Sequence, residues 1–199
     1  MARLDVESIR RQQLIDATLK VIEENGFQGT TVGKIAKASG MSVGIVSHYF
    51  GGKQGLLEAA MRHLLATLGD DVQRLMAERP DTPRERLMAI VDANFSSVQI
   101  DPQSSKTWLA FWTQAMHSAE LMRLQRVNER RLLSNLMYYL KSLMPAGRAL
   151  GTAQTIAALI DGFWLRAAMS EGRIETDEAV ALCKTYIDQA IQANNGAQS

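Results

Sequence analysis

Between Thr31 and Phe50 the chain reads TVGKIAKASGMSVGIVSHYF, and several of its side chains have the chemistry to touch nucleic acid. Ser47 and His48 can hydrogen-bond to base edges or phosphates. Ser42, Val43 and Gly44 are small or short and allow close backbone approach. Tyr49 and Lys53 suit phosphate contacts, which position a protein without specifying sequence. Thr31 and Lys34 could hold the opposite wall of the same groove. Such chemistry needs a rigid carrier, and the spacing supplies one. Ala36 is small enough for close helix approach, Gly40 can take the left-handed turn, and Val46 would plug the gap between two helices. Ile35, Met41 and Ile45 add apolar packing. This is helix-turn-helix spacing, which places its second helix in a major groove. The same residues also fit a tri-helical unit that is purely structural, so spacing alone leaves both readings open.

A second set lies in the later part of the chain. Trp108, Phe111 and Trp112 recur at i, i+3 and i+4 and line one helix face. Asp161 and Trp164 share a face of another apolar helix, in LIDGFW, a setting that predicts a buried carboxylate. An aromatic stripe at helical spacing is most often core. Asp161 could pair with Arg166 or Arg130, or lie at a subunit seam where Gly162 permits close approach.

The elements that must position these residues are helices. Leu14, Ala17, Thr18, Val21 and Ile22 form one face of a first helix that Gly26 should stop. Thr82-Pro83-Arg84-Glu85 is a helix start with a cap, a first-turn proline and a capping-box acid. Asp101-Pro102 opens another helix, Pro145 closes a long one, Gly172 stops the next, and Thr176-Asp177-Glu178 starts the last. The expected fold is all-α with about nine helices: a helix-turn-helix domain over 1–53 and a helical ligand-binding and dimerisation domain over 54–199.

Hydrophobic residues make up 46% of the 199, enough for a sizeable core, and the net charge is only +1. Charge is nevertheless uneven, with seven basic and five acidic residues among 1–53. The single cysteine, Cys183, rules out a disulfide within the chain and suits a reducing compartment. The polar start MARLDVESIRRQQ predicts no signal peptide, and no apolar run suits a membrane span, so a cytoplasmic protein is expected. His63 and His117 stand apart from other ligand types, which argues against a metal. No nucleophile elbow, P-loop or dinucleotide fingerprint occurs, and no enzyme is expected.

The wider segment IDATLKVIEENGFQGTTVGKIAKASGMSVGIVSHYFGGKQGLLEAAM resembles the N-terminal domain of the TetR family of bacterial repressors. Further segments in both halves, including KTWLAFWTQAMH, RRLLSNL and AALIDGFWLRAAMSEG, are similar to the choline-responsive branch that represses glycine-betaine synthesis genes. The resemblance implies a palindromic DNA operator, a homodimer built on the last two helices, and a small-molecule site in the helical body. It implies choline as effector and osmotic-stress genes as targets. Choline is a quaternary ammonium without N–H groups, so recognition calls for aromatic faces and an anionic partner. Trp108, Trp112 and Trp164 would then form a cage balanced by Asp161, with Phe111, Phe95 and Asn94 as further candidates. A repressor of the same family that senses another cationic or hydrophobic molecule fits the same residues. So does a helical dimer that binds a protein partner and has lost DNA.

Overall fold

The computed structural model describes residues 2–169 and 176–196. Its elements are α1 (Ala2–Gly29), α2 (Val32–Ser39), α3 (Val43–Phe50), α4 (Lys53–Ala77), α5 (Pro83–Asn94), α6 (Ser97–Ile100), α7 (Pro102–Ala115), α8 (Ala119–Leu140), α9 (Ala146–Met169) and α10 (Thr176–Gly196), with no strand among the described residues. The expected helices are all present, and the short α6 is added between α5 and α7. The stop expected at Gly172 lies outside the described residues.

Local chemistry explains most boundaries. Asp101 caps α7 by accepting from the Gln103 and Ser104 amides at 2.8 and 3.2 Å. Thr82 caps α5 by accepting from the Glu85 amide at 3.3 Å. The capping box is only half made, because the Glu85 carboxylate turns instead to the Arg84 guanidinium, 2.6 Å away. Gly26 does not end α1. The chain kinks there at φ 64°, ψ 170° and resumes its helix to Gly29.

The chain forms two compact units, Met1–Ala66 with Asp101–Met122 and Thr67–Ile100 with Arg123–Ser199. In the first, Leu14, Ala17 and Val21 of α1 pack with Ile35, Ala36, Val46 and Leu56, and Val32, Met41, Tyr49 and Phe50 close the edge. Helix α7 packs along α1. Lys106 of α7 donates to the Glu23 carbonyl of α1 at 2.9 Å, and Gln54 at the start of α4 donates to Ser118 just beyond α7 at 3.3 Å.

In the second unit α10 packs on α9 and α5. Arg84 grips Asp188 with two hydrogen bonds of 2.7 and 2.8 Å. Asp92 of α5 takes both Lys184 of α10, at 2.6 Å, and Arg79. Buried Asn194 donates to the Leu143 carbonyl at 3.1 Å and accepts from Arg148. These bonds hold α10 against α5 and the start of α9. Cys183 is buried in α10, and burial pushes its thiol up to about 11, which keeps it protonated and inert.

Candidate nucleic-acid interface and sensor residues

The turn between α2 and α3 is set by Gly40, at φ 69° and ψ 19°, a region costly for residues with a Cβ. It lets the Met41 amide return to the Ala36 carbonyl at 3.0 Å. Ala36 and Val46 are buried where α2 meets α3, as their spacing predicts. Thr31 and Ser42 cap α2 and α3, their side-chain oxygens accepting from the Lys34 and Ile45 amides at 3.2 and 3.3 Å. Each hydroxyl keeps its own hydrogen to donate outward.

With Val46 turned inward, Ser42, Val43, Gly44, Ser47 and His48 are all exposed. Val43 keeps 51% of its surface in water, an apolar group among polar ones that suits a thymine methyl. Tyr49 is half-buried, edge-on to the His48 ring at 5.5 Å. The two lysines are already engaged within the chain. Lys34 donates to the Asn25 side chain at 2.6 Å and the Gly29 carbonyl at 2.8 Å. The Lys53 ammonium sits 4.1 Å from the Phe27 ring centre, where burial lowers its pKa.

Two residues of this unit escaped the sequence reading. Arg11 of α1 lies over the rings of Phe50 and Tyr49, at 4.8 and 5.7 Å from their centres. Gly55 lies in the first turn of α4, where an added Cβ would stand 1.9 Å from the Phe50 carbonyl oxygen. No periodicity announces either one.

On α7 the structure gathers the expected aromatic set. The Trp108 ring lies 6.0 Å from both Phe111 and Trp112, edge-on to the first and tilted to the second. Trp108 and Phe111 are buried and Trp112 is half-buried. Beside them in sequence, the Thr107 hydroxyl is buried with no hydrogen-bond partner among the described residues. A buried hydroxyl of this kind costs free energy until something pairs with it. Sequence reasoning missed it because a helical threonine usually bonds its own backbone.

Trp164, Phe95 and Asn94 belong to the second unit. Trp164 and Phe95 are buried, and the Asn94 amide donates to the Ile90 carbonyl of its own helix at 2.8 Å. Asp161 is not buried as its setting predicts. It lies exposed on α9 in a stripe with Leu150, Leu165 and Met169, because the 3.6-residue period turns Ile156, Ile160 and Trp164 to the core instead. Among the described residues it makes no ion pair with Arg166 or Arg130. Its carboxyl is nonetheless pushed from 3.8 up to about 6, first by partial loss of water and then by the charge of Glu129. A raised acid is a cost that is absent below its ordinary value, grows between pH 4 and 6, and is fully present above. Exposure screens that cost and keeps it small.

The comparisons with known proteins agree with this arrangement. Residues 14–60 match the model of bacterial regulatory proteins of the tetR family. Residues 83–192 match that of the BetI-type transcriptional repressor C-terminal domain. The chain belongs to the BetI-type repressors of the TetR family.

It is 51% identical to the HTH-type transcriptional regulator BetI of Burkholderia mallei, over 96% of this chain and 98% of that one. A transcriptional regulator from Pseudomonas aeruginosa PAO1 has the same fold, with a TM-score of 0.81 at 28% identity over 94% of this chain and 92% of its own. A regulator from Saccharomonospora viridis, solved in complex with choline, shares the fold with a TM-score of 0.77 at 19% identity, over 91% of this chain and 96% of that one. Regulators of this family bind DNA and typically dimerise, and they are not enzymes. Among the described residues no group of His, Cys, Asp or Glu could hold a metal, and no helix is long and apolar enough to cross a membrane.

Proposed function

We propose that this repressor controls choline-to-glycine-betaine genes and that choline, bound in its helical body, modulates its hold on DNA. The observation that carries the reading is the ring cluster of Trp108, Phe111 and Trp112 in a BetI-type chain. Aromatic faces attract a trimethylammonium through their quadrupoles, by about 0.5–2 kcal/mol each. The buried Thr107 hydroxyl is a candidate partner for the ligand's own hydroxyl. Choline bound to the distant regulator of the same fold supports the assignment.

The operator is a palindrome read by two copies of α3, about 34–36 Å apart. Exposed Leu150, Leu165 and Met169 of α9 and Leu182 of α10 support a homodimer seam on the last two helices. The exposed Asp161 is assigned to that seam rather than to the cage. The effector acts by favouring one of two separations of the reading heads, with a coupling of about 1–3 kcal/mol. Helix α7 carries the ring cluster and packs on α1, so it offers a route to the reading helices.

Titration calorimetry tests the ligand. Trp108→Ala and Trp112→Ala should each weaken choline binding by about 2- to 30-fold, a loss of ~0.5–2 kcal/mol per ring, while Asp161→Asn binds choline as the parent does. A parent that prefers a bulky cationic dye over choline would point to the wider drug-sensing members of the family. Unchanged affinity in both tryptophan variants would remove α7 from the site.

A further inference from the structure

We propose that Arg11 is a positioning residue for operator recognition, fixing the C-terminal end of α3 from its seat on α1. Its Nη1 donates to the Tyr49 carbonyl at 3.3 Å. Its guanidinium lies 4.8 Å from the Phe50 ring centre and 5.7 Å from that of Tyr49. It also makes a loose pair with Glu7, at 3.9 Å.

Three features make this end of α3 depend on such a fixture. The Tyr49 carbonyl is among the last four of its helix and has no donor within it, so the arginine satisfies an orphan acceptor and places a cation at the negative helix end. The two residues that follow α3 are Gly51 and Gly52, at φ 68° and 136°, which have no side chains to hold the exit by packing. Beyond them, Lys53 rests on Phe27 of α1 at 4.1 Å. Helix α1 therefore grips the chain on both sides of the glycine pair.

The turns of α1 that carry Arg11 are not core. Residues 6–13 are all exposed, and the core begins at Leu14. Loss of Arg11 should therefore cost little stability. It should instead loosen the helix end within one turn of Ser47 and His48, the groups that meet base edges. Hydrogen bonds to bases weaken steeply with misalignment, whereas the charge-driven grip on the DNA backbone tolerates it.

The full-length protein is titrated against the DNA upstream of its own gene and against a random fragment of equal length, across a salt series. Arg11→Ala is expected to lose about tenfold in affinity for the upstream fragment, to keep its affinity for random DNA, and to keep the slope of log K against log salt. Arg11→Lys, which retains a cation for the rings, should recover most of the loss. An equal loss on both fragments, with a slope shallower by about one, would make Arg11 a phosphate contact and overturn the proposal. Unchanged affinity for the upstream fragment in the alanine variant would overturn it too. So would a loss that follows that variant's own unfolding while a folded lysine variant binds no better.

Discussion

Gly162→Arg is expected to leave each subunit folded and to weaken operator binding by about 10²–10⁴-fold. Gly162 is exposed on α9, and a Cβ placed there meets nothing within 4 Å of its own chain. A long charged side chain is thus accommodated by the single subunit. The same stripe carries Leu150, Leu165 and Met169, apolar groups that a lone subunit leaves in water. An arginine beside them, repeated by two-fold symmetry, would separate the subunits. Each reading head would then bind alone and lose the avidity of a tethered pair, which supplies the fold-change. Sedimentation and fluorescence anisotropy read the two effects together. A variant that stays dimeric with parental affinity would move the seam away from this stripe. Asp161→Asn, on the same stripe, should stabilise the folded subunit slightly above pH 6 and change nothing near pH 4, because only the charged carboxylate carries a cost.

Gly55→Ala should damage the reading unit more than its size suggests. The added methyl would stand 1.9 Å from the Phe50 carbonyl oxygen and 3.0 Å from its carbon. Both atoms are backbone, so no side chain can turn aside, and the end of α3 or the start of α4 must shift. Overpacking of this kind costs about 1–3 kcal/mol. Urea denaturation should show that loss, with operator affinity falling alongside because Phe50 ends the recognition helix. An alanine variant with parental stability and affinity would mean that the turn yields freely.

The helices, their starts and the helix-turn-helix were legible because each rests on local chemistry. Ala36, Gly40 and Val46 act as their spacing predicts, and Asp101 and Thr82 cap the helices they precede. Glycine takes positive φ, which predicts a stop at Gly26, yet a single such residue also permits a kink between two helical pieces. Asp161 is exposed where LIDGFW predicts burial because α9 is apolar on more than one face, so composition alone does not say which face the chain itself covers. Arg11, Gly55 and Thr107 act through contacts whose outcome depends on the three-dimensional arrangement, which no periodicity encodes.

At the centre of the proposed function is a DNA-binding repressor whose grip responds to choline. Anisotropy with the DNA upstream of its own gene, at fixed salt and with choline varied, tests it most directly. The expected result is tight, salt-sensitive binding that choline changes by about 5- to 150-fold, and that betaine or sodium at equal concentration does not. Tight binding that choline leaves unchanged at every concentration would contradict it.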